Sequence, residues 1–304
     1  MSRIAHTSGV GLRVWITALL LLSHCSSSLV IAQAMSGTEG FLDHYDVPTP
    51  LIGANSVGND YAPVWQAQHQ RLLITTERTG RAEIWQVPFE LRGSNAMPAQ
   101  AFSTEGTFNA SGRWRAYVAF GINDEAVGVA FVSYDTQAWP TIVTVPTDER
   151  ALNEGHPIQS IQRKGFDSQP ALSADGTRLV YVSDREGGEG GLDLWVCDRR
   201  SDLEWDEPVQ LSSKINSEGD EITPFFLSND SLIYASNGYG GKGGFDLFLS
   251  VLRDGVWQDP QPLEWFNSEF NESDPAIAPD RTFIFATDRP GGAGMLDLWS
   301  SRRK

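Results

Sequence analysis

The chain has 304 residues, 40% of them hydrophobic and 20% charged, which is enough to bury one sizeable core. Its 10 Trp, 29 Gly and 16 Pro suit short strands joined by tight turns. A formal charge of −16, spread along the chain, works against nucleic acid and anionic membranes as partners, because both repel it, and favours basic partners or cations.

At the N-terminus, Arg3 and Arg13 precede an apolar run from Val14 to Leu22 and a shorter one from Leu29 to Ile31, and Ala32-Gln33-Ala34 supplies a small-residue cleavage site. This reads as a secretory signal over residues 1–34, too short for a membrane span, so the mature chain is expected to be periplasmic or secreted without membrane insertion. His24 stands where a lipoprotein signal wants a small residue, which argues against lipidation of Cys25. Cleavage leaves Cys197 as the single cysteine, so no internal disulfide can form.

Residues 35–304 read as one domain built from a repeat. Ser183 to Trp195 (SDREGGEGGLDLW), Ser236 to Phe248 (SNGYGGKGGFDLF) and Thr287 to Trp299 (TDRPGGAGMLDLW) are three copies of one phrase. Their aspartates fall at 193, 246 and 297, steps of 53 and 51 residues. Each copy opens with an acid three residues before a proline (Asp167, Glu221, Glu272), followed by a short strand, a turn, a second strand, the glycine-rich phrase, a third strand and a fourth. Four antiparallel strands per unit describe a β-propeller blade. An earlier copy begins at Asp60 and runs through Leu72-Leu73-Ile74 to Glu83-Ile84-Trp85 with a shortened loop. Pro63 and Pro170 lie 107 residues apart, about two periods, so a degenerate unit is expected near 105–158, with strands near 114–120 and 127–134. The expected fold is an all-β, five-bladed propeller, with six blades the alternative. The last copy lacks a fourth strand, and residues near 47–53 are expected to supply it and close the ring.

The phrase Ile215-Asn216-Ser217-Glu218-Gly219-Asp220-Glu221-Ile222-Thr223-Pro224-Phe225, continuing to Gly243-Gly244-Phe245-Asp246-Leu247-Phe248, resembles the TolB-like propeller repeats of bacterial envelope proteins. Asn267 to Glu272 followed by Asp274-Pro275 is a second match. The resemblance covers residues 160–304 well and 45–100 weakly. It implies a non-catalytic envelope protein that binds or scaffolds a protein, peptide or cell-wall component, with an OmpA-like or Pal-like partner as candidate.

Four carboxylates, Asp60, Asp167, Glu221 and Glu272, would each start an innermost strand and could ring the mouth of the channel, with Glu105 a possible fifth member. Crowded there they would favour a cation or a basic peptide; alternatively each caps its own turn. Asp193, Asp246 and Asp297 are expected to accept backbone N–H groups from their glycine loops. A cation site joining Asp184 to Asp193, or Asp288 to Asp297, is the rival reading. Gly238 to Gly243 spells G-x-G-x-x-G, but a strand rather than a helix follows, which removes a dinucleotide site. No hydrolase, zinc-protease or P-loop signature occurs, and neither a metal nor a cofactor is expected. The competing function is a five-bladed glycosidase, which needs two carboxylates unique to single blades and about 5–9 Å apart.

Overall fold

The computed structural model describes residues 44–66, 70–88, 100–101, 113–119, 129–135, 139–145, 156–201 and 203–304. Residues 1–34, with Cys25 among them, and Glu105 lie outside them. The described chain is all-β in a propeller arrangement, with one 3-10 turn at Gln159–Ile161. None of its helices is long and apolar enough to cross a membrane.

A short β1 (Thr49–Pro50) comes first. β2 (Asp60–Gln66), β3 (Arg71–Thr76), β4 (Glu83–Val87) and β5 (Gln100–Ala101) pair in that order as one antiparallel sheet. β6 (Arg113–Ala119), β7 (Val129–Asp135), β8 (Thr141–Val145) and β9 (His156–Pro157) form another, in the segment where the repeat is degenerate. Next come β10 (Asp167–Leu172), β11 (Arg178–Ser183), β12 (Asp193–Asp198) and β13 (Val209–Gln210). Then follow β14 (Glu221–Ser228), β15 (Ser231–Ser236) and β16 (Asp246–Arg253), with β17 (Val256–Trp257) and β18 (Gln261–Pro262) both paired to β16. The last sheet joins β19 (Glu272–Ile277), β20 (Phe283–Thr287) and β21 (Asp297–Ser301) to β1, in the order β1-β21-β20-β19.

The second strand of each full repeat is buried on both faces. Leu179 and Tyr181 of β11 pack with Ile142, Ile158 and Ile161, while Val180 and Val182 pack with Ile215, Phe226, Leu232 and Tyr234. A blade is sandwiched between neighbours, so its middle strand is apolar throughout rather than alternating. Burying Tyr181 and Val182 on opposite faces contributes about 1.5–3 kcal/mol each. Cys197 is buried in the same layer as Trp195 and is a packing residue there.

The glycine loops permit close approach between neighbours. A Cβ on Gly190 would stand 1.8 Å from the Gly219 carbonyl oxygen, and one on Gly243 would stand 1.7 Å from that of Phe270. Each loop therefore lies flat against the turn that opens the next sheet, and only glycine fits there.

The seam between the chain ends repeats this joint. β1 pairs with β21 (Thr49 opposite Ser300, Pro50 opposite Trp299), as the sequence led us to expect for residues 47–53. Asn216 donates to the Leu194 carbonyl (3.0 Å) and accepts from its N–H (2.9 Å), and Asn267 does the same with Leu247. Asn55 does so with Leu298, at 2.9 Å both ways, across 243 positions of sequence. The Glu221 N–H donates to the Leu192 carbonyl, Glu272 N–H to Phe245, and Asp60 N–H to Leu296, so the first and last repeats meet as internal neighbours do. Inner strands follow suit: β10 lies against β14, β14 against β19, and β19 against β2.

Candidate functional site

The four sequence-derived acids each occupy the first residue of an innermost strand, as expected, and all are buried. Their carboxylates bond within their own turn and sheet. Glu272 accepts from the Ser268 N–H (2.8 Å), the Ser268 and Thr287 hydroxyls, and the Arg289 guanidinium (2.8 Å). Asp60 has Ser56 and Arg78 in the same places, with Arg78 at 2.9 Å. Asp167 takes Arg185 at 3.1 Å and Arg163 at 3.2 Å. Arg78, Arg185 and Arg289 also lie over Trp85, Trp195 and Trp299, 4.5 to 5.1 Å from the ring centroids. The arginine of each loop phrase thus links the inner acid to the tryptophan of the third strand, a desolvated ion pair backed by a cation–π contact.

Glu221 is the exception. Gly238 stands where the other phrases have arginine, and Phe248 replaces tryptophan. Its carboxylate has only the Ser217 N–H (2.8 Å) and the hydroxyls of Ser217 and Ser236. Burial pushes its pKa up, those hydrogen bonds pull it down, and nearby Asp193 adds to the rise.

At the ends of the glycine loops, Asp193 accepts from the N–H groups of Glu189 (3.1 Å) and Gly190, Asp246 from Gly243 (3.1 Å), and Asp297 from Gly294 (2.9 Å), as expected. Asp184 instead pairs with Arg163 and the Phe166 N–H, and Asp288 accepts from Asn271. The paired carboxylates that a cation site would need are therefore turned to separate partners.

A feature the sequence reading missed lies where the inner strands meet. Two residues after each acid, Ala62, Gln169, Thr223 and Asp274 adopt φ of 48, 51, 49 and 52°, and Tyr117 of β6 adopts 54°. The pairing slips by one residue at each of these points, a bulge. Left-handed backbone at a residue with a side chain costs about 1–2 kcal/mol. Here it turns the N–H groups of Ala62, Tyr117, Thr223 and Asp274 toward the neighbouring blade. The Thr223 N–H donates to Gln169 Oε1 (2.8 Å), Asp274 N–H to Thr223 Oγ1 (3.0 Å), and Ala62 N–H to the Asp274 carboxylate. Gln169 Nε2 reaches the Tyr117 hydroxyl at 3.4 Å, and the Tyr117 ring sits 5.4 Å from that of Tyr61. These side chains form a polar belt around the axis, and they differ from blade to blade.

Asp274 is the belt's one acid, and it crosses the seam to Ala62. Burial raises its pKa from 3.8 to about 6, against the downward pull of the Ser273 hydroxyl and the Ala62 N–H. A carboxyl whose folded pKa is raised binds its proton more tightly when folded, so stability falls as pH rises through the window from about 4 to about 6. Asp274→Asn should flatten that part of the pH profile, which urea unfolding at pH 4.5, 5.5 and 7 would measure; an unchanged slope would remove Asp274 as its source.

No protein-family model matches the sequence, and no curated relative does. Among solved structures the chain is similar to the catalytic domain of a GH62 α-L-arabinofuranosidase from Coprinopsis cinerea, with TM-score 0.53, 14% identity, and 87% of this chain and 98% of that one covered. It is similar to a thermostable family-43 glycoside hydrolase at TM-score 0.51 and 15% identity, covering 84% and 91%. TolB from Acinetobacter baumannii gives TM-score 0.48 and 12% identity over 81% of this chain, which spans 56% of that protein's length. At these identities the likeness is one of fold.

Proposed function

We propose that the chain is an exported, non-catalytic propeller of five blades that binds or scaffolds a protein, peptide or cell-wall component in the cell envelope. The count of five is supported by β6, which lies against both β2 and β10 and so completes a circuit of inner strands. Export is supported by the signal-like residues 1–34, which argue for a mature chain in the periplasm or outside the cell. An OmpA-like or Pal-like envelope protein is the partner class that the repeat resemblance suggests.

The observation that carries the non-catalytic reading is the use made of the buried acids. Asp60, Asp167 and Glu272 are neutralised by arginine, and Glu221 is held by serines. In this reading the four hold the turns that set the blades, and any ligand bound near them is bound through the geometry they fix. Catalytic acids need freedom to exchange protons, and groups locked into the same structural pair in several blades lack it.

The second reading, a glycosidase, is favoured by one residue. Asp274 is unique to its blade, lies at the axis, and has a pKa near 6, in the range of a general acid. Its belt neighbours Ala62, Tyr117, Gln169 and Thr223 supply no second carboxylate, so the required pair is not met among these described residues. Because the structural neighbours include arabinofuranosidases, the discriminating assay is sugar release from arabinan and arabinoxylan. The proposal expects none above the buffer rate; release that Asp274→Asn abolishes would establish the enzyme instead.

A further inference from the structure

The three glycine loops and the turns beside them can be compared position by position, because the joints are built alike. In the β14–β18 blade the loop carries Lys242, which pairs with Glu264 at 2.8 Å after the fourth strand. At the equivalent positions the last blade carries Ala293 and Ile52. In the turns that open the β14 and β19 blades, Glu218 and Glu269 are exposed; the equivalent residue at the seam is Val57. Gly191 and Gly244 close the other two loops, and Met295 stands in their place. The seam has therefore exchanged a salt bridge, a glutamate and a glycine for four apolar side chains.

Val57 lies beside the Ala293–Met295 loop, and Ile52 stands where Glu264 reaches Lys242 in the equivalent joint. A Cβ on Gly294, between Ala293 and Met295, would lie 2.3 Å from the Gly58 carbonyl oxygen and 2.9 Å from that of Ser56, on either side of Val57. Ile52 follows β1, and the Leu51 N–H donates to the Leu298 carbonyl of the same blade. All are open to solvent: Ile52 is 75%, Val57 89% and Met295 81% exposed, and Ala293 is also exposed. Single exposed apolar residues need no explanation, but a cluster that replaces charges at symmetry-equivalent positions does.

We propose that Ile52, Val57, Ala293 and Met295 form a docking face for a cationic amphipathic segment of a partner protein. This rests on the binding function proposed above and gives it a location. The choice of occupant follows from charge. With −16 overall, a second copy and an anionic lipid surface are both repelled, whereas a basic segment is attracted. Glu77 belongs to the same joint, its backbone 2.8 Å from where a Gly58 Cβ would lie, and its carboxylate accepts from Asn59 and the Tyr61 hydroxyl. Apolar side chains of the segment would cover the four residues while its lysines are drawn by the net negative charge of the chain.

The other joints supply a variant that the fold already accepts: Ile52→Glu, Val57→Glu and Met295→Gly together copy the residues of the equivalent positions. The probe is a synthetic Lys/Leu amphipathic peptide, with a Lys/Gln peptide of equal charge as control, titrated by calorimetry at about 150 mM salt, where charges further apart than a Debye length are screened. The expected result is binding of the Lys/Leu peptide by the natural chain, at least tenfold weaker binding by the triple variant with unchanged thermal unfolding, and weak binding of the control. Equal binding of both peptides, equal binding by the variant, or no binding would overturn the proposal. So would a doubled mass in light scattering that the variant abolishes, or variant-sensitive binding to anionic vesicles. If the docking face fails while the natural chain and the variant retain the same envelope partner, the binding function stands and only its location is wrong.

Discussion

A chain expressed from Ser56 instead of Met35 should lose at least about 10 °C in thermal unfolding. The truncation removes β1, leaving β21 as an open edge, and takes away Tyr45 and Leu51, both buried. Tyr45 packs on Phe266 and Phe283 with ring centroids 5.2 and 6.4 Å away. Each buried side chain is worth about 1.5–3 kcal/mol. Loss of Leu51 and Asn55 together also takes the Leu51 N–H and the Asn55 amide away from the backbone groups of Leu298, at about 1 kcal/mol per hydrogen bond. The total is on the order of 5 kcal/mol, and a domain of this size shifts by about 2–4 °C per kcal/mol. An ordinary terminal trim, by contrast, changes stability by less than about 1 kcal/mol. Unchanged unfolding of the truncation would mean that the N-terminal segment does not close the ring.

Glu272→Gln and Glu221→Gln should differ sharply although the two residues are equivalent in the repeat. The first leaves the Arg289 guanidinium without its counter-charge in a largely buried site, which costs about 3–5 kcal/mol. The second meets no arginine. The carbonyl oxygen of the introduced amide can keep the Ser217 N–H, and its nitrogen can donate to the Ser217 and Ser236 hydroxyls, which rotate to accept. Burial already disfavours the charged form of Glu221, so its replacement should cost less than about 1 kcal/mol at neutral pH. Chemical denaturation of the two variants side by side measures the difference. Equal losses would show that the arginine contributes nothing specific. The triple change Asp167→Asn, Glu221→Gln and Glu272→Gln is expected to unfold the blades; a folded triple variant that loses a bound partner would instead restore these acids as a ligand-binding ring.

Much of this architecture is legible in the sequence because it is repeated. Asp-Leu-Trp and Asp-Leu-Phe mark third strands, and the missing fourth strand of the last copy points to residues 47–53. The repeat also contains features whose role only the fold reveals. The Asn-Ser pairs at 55–56, 216–217 and 267–268 stand in plain view, yet nothing local says that the asparagine staples a joint and the serine holds an acid. The axial belt is hidden for a different reason. A residue before proline ordinarily avoids helical backbone, so Ala62, Gln169, Thr223 and Asp274 give no sign of their left-handed conformation. That conformation is imposed by inner strands converging on an axis, which is a tertiary constraint. The seam patch was legible in principle, as the failure of the repeat at Val57 and Met295, but its meaning needed the loops to be aligned in space.

The most direct test of the binding function is affinity capture from an envelope extract, using the chain from Met35 as bait and the Ile52→Glu, Val57→Glu, Met295→Gly chain as its matched control. The function proposed here predicts at least one envelope protein or wall component held at stoichiometric yield by the natural chain, and depleted at least tenfold with the control. Identical empty eluates from both baits, across extracts solubilised in several detergents, would contradict it.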